Sequence, residues 1–300
     1  MNRRPFLAGL FAYVALVALV AFAHLDQTVL YEKTSAYNTI VVTEEENGLR
    51  TLRFGKGGVR QSAVKPGNPD YLVLPYTQVA LVGLALAEEP RRVLVVGLGG
   101  GTLPMFLRKY FPNAAIDAVD IDPEVVEVAK KFFGFREDAL MNAHVGDGRR
   151  FIEKLRQPYD AIFLDAFSSN SIPAHLTTQE FLQAVRRAVA PGGVVVGNLW
   201  GRSSNPLYDS MVRTYQEVFD ELLILDVRGA GNKILLALPR KQLLSRDELM
   251  QLARKLSAAK RFPFDLGDPV KYGFLDARAK NQHGRVLRDR DLEQRKQRSP

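Results

Sequence analysis

A doubly wound α/β fold with a mostly parallel sheet is predicted by three observations. The first is the stretch at residues 92–122, RVLVVGLGGGTLPMFLRKYFPNAAIDAVDID. It runs from the apolar segment Val93-Leu94-Val95-Val96 through glycines at 97, 99, 100 and 101 and a helical segment to a second apolar run ending at Asp120. That order is half of a nucleotide-binding unit, in which glycines let the backbone approach a ligand and an acid about 20 residues on grips two ribose hydroxyls. The second observation is the alternation of short apolar runs with helical-period segments as far as residue 240, the pattern of strand–helix crossovers. The third is a pair of apolar runs at 222–227 and 233–238 with only five residues between them. These form a hairpin, so one strand opposes the rest.

Bulk composition agrees. Three hundred residues allow one large domain or one with small additions. An apolar content of 46% against 25% charged residues supplies a sizeable core. The net charge of +8 is uneven: from Arg278 onward there are eight Lys or Arg against three Asp or Glu. Such an end is expected to be solvated and poorly ordered, with contact to anionic lipid or nucleic acid the lesser reading. The chain has no cysteine, which excludes disulfides, thiolate metal sites and cysteine nucleophiles.

In chain order, Arg3 and Arg4 precede residues 5–23, an uncharged run long enough to cross a hydrocarbon core. Residues 1–24 are therefore expected to be a transmembrane anchor, with a cleaved signal the alternative because Ala21-Phe22-Ala23 resembles a cleavage site. The two arginines would place the rest of the chain outside the cell, whereas an adenosyl ligand is cytoplasmic. The expected location is the inner membrane, with the cytoplasmic side favoured on ligand grounds. Residues 35–70 read as a small antiparallel meander with strands at 38–43, 49–54 and 59–63. A helix is expected over 71–88 despite Pro75. Residues 71–240 form the main domain, with helices at 123–133, 149–156, 178–189 and 206–219. Its strands at 143–145, 159–164 and 194–199 join the two of the nucleotide-binding unit and the two of the hairpin. Residues 241–300 contribute one helix, 246–256, and an irregular basic tail. A mostly parallel sheet closed by such a hairpin is the order of the S-adenosylmethionine-dependent methyltransferase-like Rossmann fold.

Ligands of open parallel sheets lie beyond the carboxyl ends of the strands. The glycine turn, Asp120, Asp147 and Asp165 all fall there. The glycine motif alone serves a dinucleotide or an adenosyl-sulfonium ligand. Its GLGGG spacing, in place of GxGxxG, leans toward the second, which has no pyrophosphate to cradle. Asp120 or Asp122 could instead cap the helix beginning at Pro123, and Asp147 the helix at Arg149. Neither metal-ligand spacing nor a serine–histidine arrangement is present, so no metal is expected.

The segments SAYNTIVV, GGVRQS, VLVVGLGGG, VDIDPEVV, GDGRRF, YDAIFLDAF and IPAHLTTQEF together resemble the spermidine synthase (polyamine aminopropyltransferase) family, and more closely its divergent bacterial members. The likeness spans roughly residues 35–240. It implies that Gly97, Gly99 and Gly101 form the turn against the ligand and that Asp120 binds the ribose hydroxyls. Gly146 and Asp147 flank the adenine, with Asp147 facing its exocyclic amine, and Gln61 lies near the nucleoside or the sulfonium. Asp165 is the acid that accepts the proton from the attacking amine, and Thr178, Glu180 and Phe181 match a T-x-E-F segment. Tyr71, Ser168 and His175 are the expected acceptor contacts, with Tyr76, Tyr208, Asn198 and Trp200 as further candidates.

Three acids of the family pattern are absent. Gly100, Ser168 and Val73 stand in their places, which removes much of the field that would draw in a doubly charged diamine. The function implied is transfer of an aminopropyl group from decarboxylated S-adenosylmethionine to an amine. Methyl transfer from S-adenosylmethionine is the runner-up, and a catalytically reduced module at the membrane is the third reading. The expected partners are a small amine acceptor and, through the N-terminal helix, the membrane. Nucleic acid is not expected, and a homodimer is left open.

Overall fold

The computed structural model describes residues 27–168 and 171–292. The expected anchor at 1–24 lies outside them. Among the described residues no helix is long and apolar enough to cross a membrane.

Two sheets build the molecule. The first is an antiparallel meander of β1 (Gln27–Thr34), β2 (Thr39–Glu45), β3 (Arg50–Phe54) and β4 (Arg60–Val64), paired in chain order. It therefore has four strands rather than three. The extra strand, QTVLYEKT, is mostly exposed and has no continuous apolar side. Next come α1 (Pro75–Ala80) and a 3-10 turn, Leu81–Leu86. The helix expected from residue 71 thus starts at Pro75. Proline fits the first helical turn and holds the preceding Leu74 extended, at φ −83° and ψ 119°.

The second sheet holds β5 (Arg92–Val96), β6 (Ala115–Asp120), β7 (Met141–Val145), β8 (Tyr159–Leu164), β9 (Val189–Trp200), β10 (Glu221–Asp226), β11 (Asn232–Leu238) and β12 (Phe274–Asp276). Its order is β12-β10-β11-β9-β8-β5-β6-β7. Strands β7, β6, β5, β8 and β9 are parallel, and β11 runs against β9 and β10, as the hairpin argument requires. The linking helices are α2 (Thr102–Tyr110), α3 (Pro123–Phe132), α4 (Gly148–Glu153), α5 (Gln179–Ala188), α6 (Tyr208–Val218), α7 (Arg246–Lys260) and α8 (Gly267–Gly273). The chain reverses direction across the sheet between β5 and β8, so the crevice between them is a topological switch point.

Alternation along β5 sends Val93 and Val95 into one core with Phe106 and Leu236, and Leu94 into the other with Leu182 and Val185. The meander has its own apolar layer, where Ile40, Val42 and Leu52 meet Val125, Val128 and Phe133 beside α3. Tyr31 and Lys33 both reach Glu124 across this seam. That docking carries β4 over the glycine turn, where Ser62 Oγ lies 3.2 Å from Thr102 Oγ1.

The C-terminal part departs most from expectation. α8 and β12 occupy a region expected to be irregular. The described part of the basic end, 278–292, is packed as well: Asn281 N donates to Gln216 Oε1 (2.8 Å), Leu287 N to Thr214 Oγ1 (3.0 Å) and Gln179 N to the Leu287 carbonyl (2.7 Å). Leu287 is buried in the second core, an apolar anchor that acts together with these hydrogen bonds.

Candidate active site

A cleft opens at the carboxyl ends of β5, β6 and β8 and is roofed by β4. It holds about 1030 Å³ of space between atoms, the solvent at its open mouth included. Gln61, Gly97, Gly99, Asp120, Asp147, Asp165 and His175 all line it.

The glycine turn is shaped by contact as much as by torsion. Gly97 has φ +100°, and a Cβ there would sit 2.3 Å from the Asp165 carbonyl oxygen, so only glycine allows β5 and β8 to close at this point. Gly100 is hemmed in differently: a Cβ would meet Phe133 at 2.6 Å and Ser62 at 2.8 Å. Phe133 and Ser62 thus pack where a side chain at this position would begin.

Asp120 ends β6. Its carboxylate accepts from Leu98 N (2.9 Å) and from Asp122 N (3.0 Å), which ties the glycine turn to the loop after β6. Burial pushes its pKa up, against the opposing pull of these backbone donors. Asp122 is the cap of α3, accepting from Glu124 N at 3.0 Å, and is almost wholly buried. Asp147 both caps and faces the cleft: Oδ1 accepts from Arg150 N (2.9 Å) and Oδ2 lies 2.8 Å from His175 Nε2.

Asp165 follows β8 and is the most perturbed carboxylate. Burial raises its pKa from 3.8 to about 6, opposed by hydrogen bonds from Asn198 and Tyr76. Asn198 Nδ2 donates at 2.8 Å and Tyr76 Oη at 3.0 Å. The Asn198 carbonyl in turn accepts from Asn232 Nδ2 at 2.9 Å, so neighbouring strands fix the orientation of the carboxylate. The Tyr76 phenol is itself held well above its ordinary range by burial and by the adjacent Asp165. A carboxyl with a pKa near neutrality, held by two donors on a cleft wall, is suited to accept a proton from a substrate.

Four expected residues lie elsewhere. Tyr71 is 52% exposed in the turn before α1 and does not line the cleft; Tyr76, placed inward by the helix that begins at Pro75, does. Ser168 donates to the Ser171 carbonyl (2.8 Å) within its own loop. Gly101, at φ +77°, starts α2 and packs on Phe135. Gly146 donates its N–H to the Asp120 carbonyl at 2.8 Å, so it joins two strand ends without lining the cleft. Of the other candidates, Tyr208 lines a separate surface groove beside the hairpin. Sequence reasoning missed Asn232, whose only sign is that it and Lys233 open a strand that is apolar from Ile234 onward.

A family model described as the spermine/spermidine synthase domain matches residues 76–216. A polyamine aminopropyltransferase of Vibrio vulnificus is 34% identical over 241 residues, covering 78% of this chain and 79% of that protein. The chain belongs to the spermine/spermidine synthase family. Among solved structures, human methyltransferase-like protein 13 in complex with SAH is 34% identical with a TM-score of 0.59, covering 64% of this chain and 94% of that one. A probable spermidine synthase from Corynebacterium glutamicum, 20% identical, has the same fold, with a TM-score of 0.68 over 87% of this chain and 97% of that one. The family's cofactor class is therefore adenosyl and related to S-adenosylmethionine.

Proposed function

We propose that this protein transfers an aminopropyl group from decarboxylated S-adenosylmethionine to an amine, with Asp165 as general base. The observation that carries the reading is the Asp165 carboxylate, raised toward pKa 6 and gripped by Tyr76 and Asn198 on the same cleft wall as the glycine turn. An alkylamine, with a pKa of about 10.4, is almost wholly protonated at neutral pH. Asp165 accepts that proton. The freed nitrogen lone pair attacks the carbon next to the sulfonium, the new C–N bond forms as the C–S bond breaks, and the electron pair leaves with sulfur as methylthioadenosine. The leaving group is already excellent, so the protein's main contribution is alignment and deprotonation. In this reading Asp120 takes the ribose hydroxyls and Asp147 the adenine amine, while Gln61 lies near the sulfonium.

Methyl transfer is the second reading, favoured by Gly100. A cationic aminopropyl tail would be stabilised by an acid at that position, and Phe133 and Ser62 fill the space instead. The two readings separate in one experiment. Purified protein is offered each sulfonium substrate with a panel of amines, and the nucleoside product is identified by mass. Methylthioadenosine is expected; S-adenosylhomocysteine would establish the methyl reaction, and failure to bind either substrate at micromolar strength would end both readings.

A further inference from the structure

We propose that Arg149 and Asp289 are positioning residues for adenine recognition, acting from outside the cleft through the turn that carries His175. The inference rests on the adenosyl reading of the cleft, and within it assigns a role to the C-terminal segment. That segment crosses the outside of α5 and α6 as a strap. Its fit is close: a Cβ at Gly284 would lie 2.0 Å from the Asp209 carbonyl oxygen, and the buried Leu287 is pinned through both its backbone N–H and its carbonyl. Asp289 N donates to Glu180 Oε2 at 3.0 Å, which gives the family's T-x-E-F glutamate a structural task.

From that anchorage the Asp289 carboxylate takes Arg149 in two parallel bonds, of 2.8 and 2.6 Å. The paired guanidinium holds the Asp289 carboxyl below its usual range. The fork has donors to spare. Nε donates to Glu153 (2.8 Å) and one terminal nitrogen also reaches the His175 carbonyl (3.3 Å). A planar, five-donor group is the side chain able to satisfy three partners in one plane. The His175 carbonyl belongs to the short turn Ala174–Leu176, and the His175 ring meets Asp147 Oδ2 at 2.8 Å. The other Asp147 oxygen is committed to capping α4. Both oxygens of Asp147 are thus aimed, one by its own helix and one by a turn that the strap holds in place. Arg149 does not line the cleft, so its influence on a ligand passes through His175 and Asp147.

The test compares 5′-methylthioadenosine with 5′-methylthioinosine, in which a carbonyl replaces the 6-amine and N1 carries a proton, by calorimetry on the full chain. The intact protein is expected to prefer the adenosine form about 10-fold, the value of one well-placed hydrogen bond. In Asp289→Asn that preference is expected to fall to about 2-fold or less, with methylthioinosine binding unchanged and Asp289→Glu restoring part of the preference. Arg149→Lys, which keeps the charge and loses the fork, gives the same readout should Asp289→Asn fold poorly. A strap that only stabilises the fold would lower the melting temperature or weaken both ligands alike; an undiminished preference in both variants overturns the inference. Failure of the intact protein to bind either ligand would instead defeat the adenosyl reading, and this inference with it.

Discussion

The two halves of the cleft are built on different principles. The adenosyl half is made of backbone and strand-end acids: the Gly97 turn, Asp120 braced by two backbone N–H groups, and Asp147 at a helix cap. Each of these has a structural duty to the sheet as well as a place on the cleft wall, so change at any of them disturbs the fold. The acceptor half depends on side chains carried by loops and by the start of α1. Ser168 and Val73, at positions where the family resemblance implies acids, do not line the cleft: Ser168 turns back onto its own loop and Val73 faces a separate groove.

The largest effect expected from breaking this contrast is at Asp165, which belongs to both halves. Asp165→Asn should lower turnover about 10²-fold or more while leaving methylthioadenosine affinity intact, measured by initial rates and calorimetry. An unchanged rate removes Asp165 from the mechanism. The same variant makes a stability prediction. The folded carboxyl titrates at about 6, above its ordinary value of 3.8, so the folded state holds the proton more tightly than the unfolded chain. Any stability linked to that proton is present below pH 4 and is lost as pH rises through 6. Asp165→Asn should therefore equal the parent near pH 4 and exceed it by about 2 kcal/mol at pH 8, read from urea midpoints.

Tyr76→Phe comes next. The phenol's hydrogen bond favours the ionised carboxylate, so its removal should move the acidic limb of the rate profile to higher pH. The rate should fall about 10-fold at pH 6 and less at pH 8. A profile that does not move assigns Tyr76 to packing alone. Ser168→Asp sharpens the comparison from the other side. An acid returned to the loop should improve KM for a diamine by about 3-fold and leave a monoamine unaffected. Equal response to both amines would show that the loop acid does not face the acceptor. Smallest of all is Tyr71→Ala, expected to change kcat/KM by less than about 2-fold, as for a substitution on the surface.

Much of this molecule is legible in its residues, for identifiable reasons. Buried parallel strands read as continuous apolar runs, and the Gly97–Gly101 turn with Asp120, Asp147 and Asp165 at successive strand ends marks the cleft. Of the three acids read as possible caps, Asp122 and Asp147 do cap, Asp147 facing the cleft besides, while Asp120 braces the glycine turn. Tyr71 and Tyr76 are not separable in the sequence, because they are chemically alike and five residues apart; the start of α1 at Pro75 decides which one turns inward. Strand β1 is hidden because it offers no apolar side, and the strap because one buried leucine sits among charges whose partners, Arg149 above all, are remote in sequence. Long-range ion pairing leaves no periodic trace.

The seam between the two sheets carries a last consequence. Ser35 to Asp122, Tyr31 and Lys33 to Glu124, and Ser62 to Thr102 are all bonds between side chains. The roof over the adenosyl pocket is thus fastened by exchangeable rivets, while the floor is woven into a strand ladder. A different roof grafted onto this floor would have to match these polar contacts around Asp122, Glu124 and Thr102 and the apolar layer of Val125, Val128 and Phe133. A lineage could change what its pocket admits from above and keep the nucleotide floor that defines its chemistry.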